Sequence, residues 1–336
     1  MTSHGRVAAS ARGGVSMGLP VLIGWAAGHP ADGLLATLGA FAALYGYPWP
    51  PRRRATALLA VAAGLLVAAG AGAWAAQVPG LAIPVVATVA AVATWICRAW
   101  ETGPPGPYPF TLVCAVGTTV GAQRDPWHLI ALVAGGGLSA CVVHLARRSW
   151  PAEPRRPGDE AAQRRHPVRA LRPSKEHLRL PAQVGAAALA AGLAAGAVGA
   201  GHAYWAAAVA VAVLQPGLGL AGILRRGSAR LIGTWAGLLL TGAVLDLHPH
   251  GAYLVILIAT AQFCIEMEVA RNYTVATVFI TLAALAVVTG GSPGPDLTGL
   301  LLARGVDTAV GCAVAVTTAI ALGRRTMPPP RQGSPG

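Results

Sequence analysis

The sequence predicts an all-α integral membrane protein of about twelve transmembrane helices, arranged as two parallel six-helix repeats. Three observations predict this fold. Of the 336 residues, 54% are hydrophobic and only 11% are charged, whereas a soluble domain carries about 25% charged residues. Apolar tracts, many close to the roughly 20 residues that span a bilayer, fill most of the chain. The second half of the chain also repeats residues of the first at a nearly constant offset.

The apolar tracts form two sets of six, separated by a polar stretch. The first tract follows Arg6 and Arg12 and resembles a cleaved signal peptide, but its counterpart in the second set favours a true helix. Glycine and proline interrupt some tracts, which neighbouring helices tolerate in a membrane. The twelve predicted helices lie near residues 15–28, 30–46, 55–77, 81–97, 108–123, 127–146, 181–200, 203–219, 229–245, 251–266, 272–290 and 297–322.

The basic residues predict the orientation of these helices, because cytoplasmic connections are enriched in Lys and Arg. With the N-terminus inside, 23 of the 25 basic residues fall on the inner side; Arg124 alone lies outside, and Arg304 lies within the last tract. Arg225, Arg226 and Arg230 are interpreted as topology signals in an inside turn. We therefore expect both termini in the cytoplasm, and the net charge of +13 orients helices rather than binding nucleic acid.

The internal repeat rests on matched polar residues. At an offset of 173, Gly28-His29 aligns with Gly201-His202 and Arg52-Arg53 with Arg225-Arg226, and at 171 Cys141 aligns with Cys312. Six helices per unit give both units the same orientation, which implies a pseudo-twofold axis along the membrane normal. The predicted domains are a cytoplasmic N-terminus (1–14), the first repeat (15–146), a basic cytoplasmic linker (147–179), the second repeat (180–322) and a cytoplasmic tail (323–336).

The linker between the repeats holds ten basic and four acidic residues and five prolines. Such a composition cannot bury an apolar core. We expect it to act as a tether and topological anchor that is attracted to anionic lipid. Nucleic-acid binding is disfavoured, because no aromatic interleaving or binding motif accompanies the charges.

Short phrases in the second half of the chain carry a family resemblance. They are His202–Ala207, Leu214-Gln215-Pro216, Arg225, Arg230, Gly233-Thr234, Arg271-Asn272-Tyr273, Phe279-Ile280-Thr281, Arg304–Thr308 and Gly311. In this order they resemble the fusaric acid resistance family, whose members are also described as aromatic acid exporters. The resemblance covers about 180–322, and the first half resembles the family mainly through the repeat.

The resemblance implies a membrane transporter, not an enzyme, that moves aromatic or other organic acids across a bacterial plasma membrane without a cofactor. Larger members of the family carry a substantial cytoplasmic domain, where this chain has only the 33-residue linker. Two alternatives stay open: a passive organic-anion channel, and a membrane scaffold or membrane enzyme that transports nothing. Further homo-oligomerisation is also left open.

Arg304 and Asp307 are the leading candidates for substrate binding and coupling. They lie three residues apart within the last predicted helix and so share one face, and ionisable groups inside a membrane usually mark a pathway or a pair. Arg304 could hold a carboxylate with its forked guanidinium, while Asp307 could exchange a proton. The structural alternative is a self-compensating pair that braces helix packing. Their first-repeat equivalents are Val133 and Gly136.

A second candidate group lies in the inside turn between the tenth and eleventh tracts. Its members are Glu266, Glu268, Arg271 and Asn272. Together they could form an inner entry point for an anion. The alternative is an ordinary solvated helix end.

His202, Tyr204 and Trp205 form the third candidate group, at a predicted outer interface. A belt of aromatic side chains at the bilayer surface is the default interpretation, and an exit lined by stacking rings is the alternative. The five cysteines lack the spacing of a metal site or a disulfide framework. No phosphate-binding loop or HExxH zinc motif occurs, so transport driven by ATP is not expected from this chain alone.

Overall fold

A computed structural model describes residues 3–45, 51–146, 175–199, 203–215, 217–292 and 296–322. All regular secondary structure in these ranges is helical, with one short 3₁₀ segment at Phe41–Tyr45. The α-helices are α1 Ser3–Ala26, α2 Pro30–Ala40, α3 Pro51–Ala75, α4 Ala82–Ala99, α5 Tyr108–Val120, α6 Pro126–Leu145, α7 Lys175–Ala197, α8 Tyr204–Val213, α9 Leu220–Asp246, α10 Ala252–Glu268, α11 Tyr273–Thr289 and α12 Leu297–Ala321.

Seven of these helices are long and apolar enough to cross a bilayer, namely α1, α3, α4, α6, α7, α9 and α12. Three shorter apolar helices, α5, α8 and α11, accompany them. The prediction of an all-helical membrane protein is therefore confirmed, with seven candidate membrane-spanning helices in the described residues. His202, most of the linker (147–174) and the tail from 323 lie outside the described residues.

Two helices begin well before the apolar tracts that predicted them. The helix α1 starts at Ser3 rather than near residue 15, and α9 starts at Leu220 rather than near residue 229. The prediction that Arg225, Arg226 and Arg230 lie in a turn is therefore wrong. Arginine is a good helix former, so it does not interrupt a helix. Its long side chain can also carry the charge away from the helix axis to a polar or aromatic partner inside the bundle.

Short helices occupy the centre of the bundle. Every residue of α8 is buried, as are the last eight residues of α2. The segments that follow them meet the same stretch before α5: the Tyr45 hydroxyl donates to the carbonyl of Gly106, and Gln215 Nε2 lies 3.4 Å from the carbonyl oxygen of Pro105. Interrupted helices are tolerated at such a place because protein, rather than lipid, surrounds their ends.

The packing partners of the first six helices recur six helices later. The helix α1 contacts α2, α6 and α10, and α7 contacts α8, α12 and α4. In the same way, α3 contacts α5 and α6, while α9 contacts α11 and α12. Contacts between the two sets come chiefly from α1 with α10, α4 with α7, and α5 with α8.

Glycines allow the closest helix contacts. A Cβ atom on Gly136 of α6 would overlap the backbone carbonyl of Ala36 in α2, and one on Gly39 would overlap that of Val133. Gly233 of α9 similarly faces the carbonyl of Thr274 in α11. Small residues of this kind let backbones approach in membrane bundles, where van der Waals packing drives association.

Neighbouring glycines of α6 provide a test of this packing. Gly136→Ala should lower the free energy of unfolding by about 1–3 kcal/mol, because the added methyl group overpacks the contact with α2. Gly135→Ala is the matched control: Gly135 has open space around it, and alanine favours a helix by up to about 1 kcal/mol. Denaturant unfolding of the purified protein in detergent measures both, and equal stability of the two variants would contradict the close α2–α6 contact.

Candidate functional site

The predicted pair on α12 lies in the centre of the protein. Arg304 is 1% exposed and Asp307 is fully buried. The guanidinium carbon of Arg304 lies 4.4 Å from the centroid of the Trp205 ring on α8, a distance at which a cation is attracted to the ring face. Both carboxyl oxygens of Asp307 are buried and hydrogen-bonded to none of the described residues. The two side chains share a helix face and interact electrostatically, but no hydrogen bond joins them.

Arg230 is the residue of this site that sequence analysis missed. It is fully buried, and its two terminal nitrogens donate to the hydroxyls of Tyr108, at 3.1 Å, and Tyr273, at 3.3 Å. Tyr108 begins α5 and Tyr273 begins α11. The arginine therefore connects a helix of the first set to two helices of the second. Arg230 is one of the residues that carry the family resemblance, and it lies four residues, about one helical turn, after Arg226. Because the sequence pattern placed it in a turn, it was interpreted as a topology signal.

Arg226 fixes the opposite end of α8. Its Nε donates to the carbonyl of Ala212 at 2.7 Å, and its guanidinium lies 3.7 Å from the centroid of the Tyr273 ring. A cation at a helix C-terminus meets the negative end of the helix dipole. Arg226 at its C-terminus and Arg304 against Trp205 near its N-terminus therefore hold α8 at both ends.

The rings of Tyr204 and Trp205 belong to the same interior site. Tyr204 is 9% exposed and Trp205 1%, and their centroids lie 5.7 Å apart in an edge-to-face arrangement. This burial favours rings that line the interior over an aromatic belt that faces lipid. Three guanidinium groups and one carboxyl thus share the centre of the second set of helices, which gives the site an excess of positive charge.

The second predicted group divides into separate roles. Glu268 and Arg271 form a partly exposed ion pair at 3.8 Å. The side chain of Asn272 caps α11 by accepting from the backbone N–H of Val275 at 3.3 Å. Glu266 accepts from Gln262 at 3.0 Å and lies against Gly13 of α1. The structure therefore does not bring the four residues together as one anion site. Asn272 nevertheless precedes Tyr273 and sets the start of α11.

A second polar cluster lies where α1, α3 and α6 meet. Arg12, Arg54 and His144 are all less than a tenth exposed, and His144 interacts electrostatically with both arginines. Arg12 and Arg54, which sequence analysis counted among the inner-side basic residues, are therefore buried like Arg230. The described residues contain no group of three or more His, Cys, Asp or Glu that could hold a metal ion.

An open hollow of about 280 Å³ lies beside the short central helices. The end of α4, the stretch before α5 and Gln215 line it. Its wall at Gly106 is two residues from Tyr108, the partner of Arg230.

These features define a helical membrane protein with a buried basic site. Residues 188–318 match the family described as fusaric acid resistance protein-like, so the resemblance predicted for the second half is confirmed. That match contains Trp205, Arg230 and Arg304, while Tyr108 lies outside it.

One curated relative is the uncharacterized membrane protein YvaC of Bacillus subtilis (strain 168). It is 34% identical to the chain over 129 residues, which is 38% of this chain and 20% of YvaC. The chain therefore spans about a fifth of the length of this relative. No solved structure matches the chain significantly.

Arg226 and its neighbour Arg225 offer a matched test of how α8 is held. Arg226→Gln should lower the free energy of unfolding by about 1.5–3 kcal/mol, the range for a hydrogen bond to a charged group. Arg225 is exposed on the same helix, so Arg225→Gln should change it by no more than about 0.5 kcal/mol. Unfolding midpoints in detergent measure both, and equal midpoints would exclude the capping role of Arg226.

Proposed function

We propose that the protein is a membrane transporter that exports aromatic or other organic acids. The observation that carries this proposal is the excess of buried positive charge: Arg230 and Arg304 are buried, and the carboxyl group of Asp307 interacts electrostatically with Arg304 but accepts no hydrogen bond from a described residue. Buried positive charges that outnumber the buried negative charges near them are costly. An anionic substrate would supply a further negative charge at the moment of binding. The family match over the same helices supports the assignment.

The proposed architecture has twelve spans in two parallel units, with the path between them. The recurrence of packing partners six helices apart supports it, as does the meeting of α5 and α8 at the centre. Both termini are proposed to be cytoplasmic, because this orientation places most of the basic residues on the inner side of the membrane, as is usual for membrane proteins. Arg124 is the exception, and its ion pair with Asp32 neutralises it at the opposite side.

Arg304 is proposed to bind the substrate carboxylate. Its guanidinium presents a planar fork that matches the two oxygens of a carboxylate. Trp205 supports the guanidinium from one face, and the Nε, which is hydrogen-bonded to no described residue, can donate to a substrate carboxylate. Trp205 and Tyr204 also place aromatic rings beside the anion, so an aromatic acid could stack where an aliphatic acid could not.

Asp307 is proposed to couple transport to protons. It lies one helical turn from Arg304, and both its oxygens are buried and hydrogen-bonded to none of the described residues. Intramembrane carboxyl groups of this kind serve as proton relays in transporters. A proton entering from the outer side would travel inward as the acid leaves. A passive organic-anion channel would need no such exchange.

Uptake of radiolabelled benzoate into inverted membrane vesicles tests the proposed transport. Uptake should rise when the vesicle lumen is made acidic, because the lumen corresponds to the outer side of the cell. Arg304→Ala should lower uptake about ten- to a hundred-fold, since removing a charge-assisted hydrogen bond costs about 1.5–3 kcal/mol. Arg225→Gln is the control and should transport normally.

Each alternative has a distinct result in the same vesicles. Benzoate flux that does not depend on the pH gradient, with currents that reverse at the anion equilibrium potential, would show that the protein is a channel rather than an exporter. Asp307→Asn should keep exchange of benzoate but lose its stimulation by acid, so undiminished stimulation would remove the coupling role. Unchanged uptake by Arg304→Ala would remove the binding role. Sensitivity of cells with and without the protein to a panel of aromatic and aliphatic acids then identifies the substrate class.

A further inference from the structure

We propose that Arg230 is a second anion-binding residue and that Arg230 and Arg304 hold one carboxylate group between them, beside the hydroxyl of Tyr108. This inference rests on the proposed function and deepens it. It gives the site two guanidinium groups rather than one, and it makes a residue of the first six helices part of the site. Neither Arg230 nor Tyr108 stood out in the sequence as a ligand-binding residue.

The first argument is charge. Arg230 is fully buried and Arg304 is 1% exposed, and the Nε of each is hydrogen-bonded to no described residue. The hydrogen-bond partners of Arg230 are neutral phenols. Arg304 contacts the indole of Trp205 and interacts with the phenol of Tyr108. One carboxyl group, that of Asp307, interacts with Arg304 electrostatically without a hydrogen bond. Phenols and aromatic faces stabilise a guanidinium without neutralising it. Two buried guanidinium groups thus have one carboxyl group near them, and a substrate carboxylate shared between the two arginines would supply a second negative charge.

The second argument is convergence on Tyr108. The Tyr108 hydroxyl lies 3.1 Å from a terminal nitrogen of Arg230, and the phenol also interacts with Arg304. The guanidinium of Arg230 lies 5.4 Å from the Tyr108 ring centroid. Two cations therefore approach one oxygen atom. A carboxylate oxygen beside it would accept hydrogen bonds from both guanidinium groups, and the phenol O–H would donate to the same carboxylate.

The third argument is depth in the bundle. Arg230 is the eleventh residue of α9 and Arg304 the eighth of α12. At 1.5 Å per residue, each lies about 10–15 Å from the start of its helix. The helices α9 and α12 are in contact, so both guanidinium groups lie well inside the apolar span. Arginines that only set topology would remain at the ends of their helices.

The fourth argument is that the side chains of the proposed site come from both sets of helices. Tyr108 comes from α5 in the first six helices, whereas Arg230, Tyr273 and Arg304 come from the second six. The hydrogen bond between Tyr108 and Arg230 joins residues 122 positions apart. Anion binding at this point therefore depends on how the first set packs on the second. A movement of α5 away from α9 would remove one donor and weaken the site.

Binding of radiolabelled benzoate to the purified full chain in detergent tests the shared carboxylate. Arg230→Gln and Arg304→Gln should each weaken benzoate binding about ten- to a hundred-fold, the effect of losing a charge-assisted hydrogen bond. The double variant should bind only slightly more weakly than either single variant, because groups that hold the same ligand atom are not additive. Arg225→Gln on the same helix is the control and should bind normally.

Two milder variants keep the test valid if Arg230→Gln does not fold, which gel filtration and thermal unfolding would show. Tyr108→Phe keeps the ring and should weaken binding about three- to ten-fold, the effect of one neutral hydrogen bond. Arg230→Lys keeps the charge but loses the fork and should also bind more weakly.

The outcomes separate this inference from the proposed function. Normal benzoate binding by the Arg230 and Tyr108 variants would overturn the two-arginine site while leaving transport through Arg304 intact. Fully additive losses in the double variant would likewise overturn the shared carboxylate and leave two independent contacts. A wild-type protein that neither binds nor transports benzoate would overturn both the transport proposal and this site.

Discussion

Burying guanidinium groups in an apolar bundle is the constraint on which the rest of the structure depends. A charge taken out of water costs several kcal/mol unless oxygen atoms or aromatic faces replace the lost water. Arg226 uses the carbonyl of Ala212 and the ring of Tyr273, Arg230 uses two phenols, and Arg304 uses Trp205. These partners lie on α5, α8 and α11. The arginines consequently fix how those helices are placed around α9 and α12.

The small residues of the chain make this arrangement compatible with tight packing. Where Gly233 faces Thr274, α9 and α11 come close enough for the arginines of α9 to reach Tyr273. The all-buried α8 is lined by alanine and valine, so its neighbours surround it closely. Charged side chains are thus confined to a few buried positions, while alanine, valine and glycine form most of the close contacts around them.

The sequence predicted the helices better than it predicted the site. Long apolar tracts indicate spans because composition alone makes them insoluble in water, and Arg304 and Asp307 stood out because they interrupt such a tract. Arg230 did not stand out, since a basic residue close to the start of a span has the same pattern as a topology signal. Its partners lie 43 and 122 residues away along the chain. Only tertiary packing brings them together, and no local pattern encodes that distance.

The contact between α2 and α6 bears on how many ligands one molecule holds. In the second set, α12 carries Arg304 and Asp307 beside α8. At the aligned positions of α6 stand Val133 and Gly136, whose backbones lie directly against α2. If the proposed anion site is correct, the first set contributes the phenol of Tyr108 to it, and its α2–α6 contact holds no equivalent of Arg304 and Asp307. With one proposed anion site per chain, saturation should follow a single hyperbola, without cooperativity between the two halves.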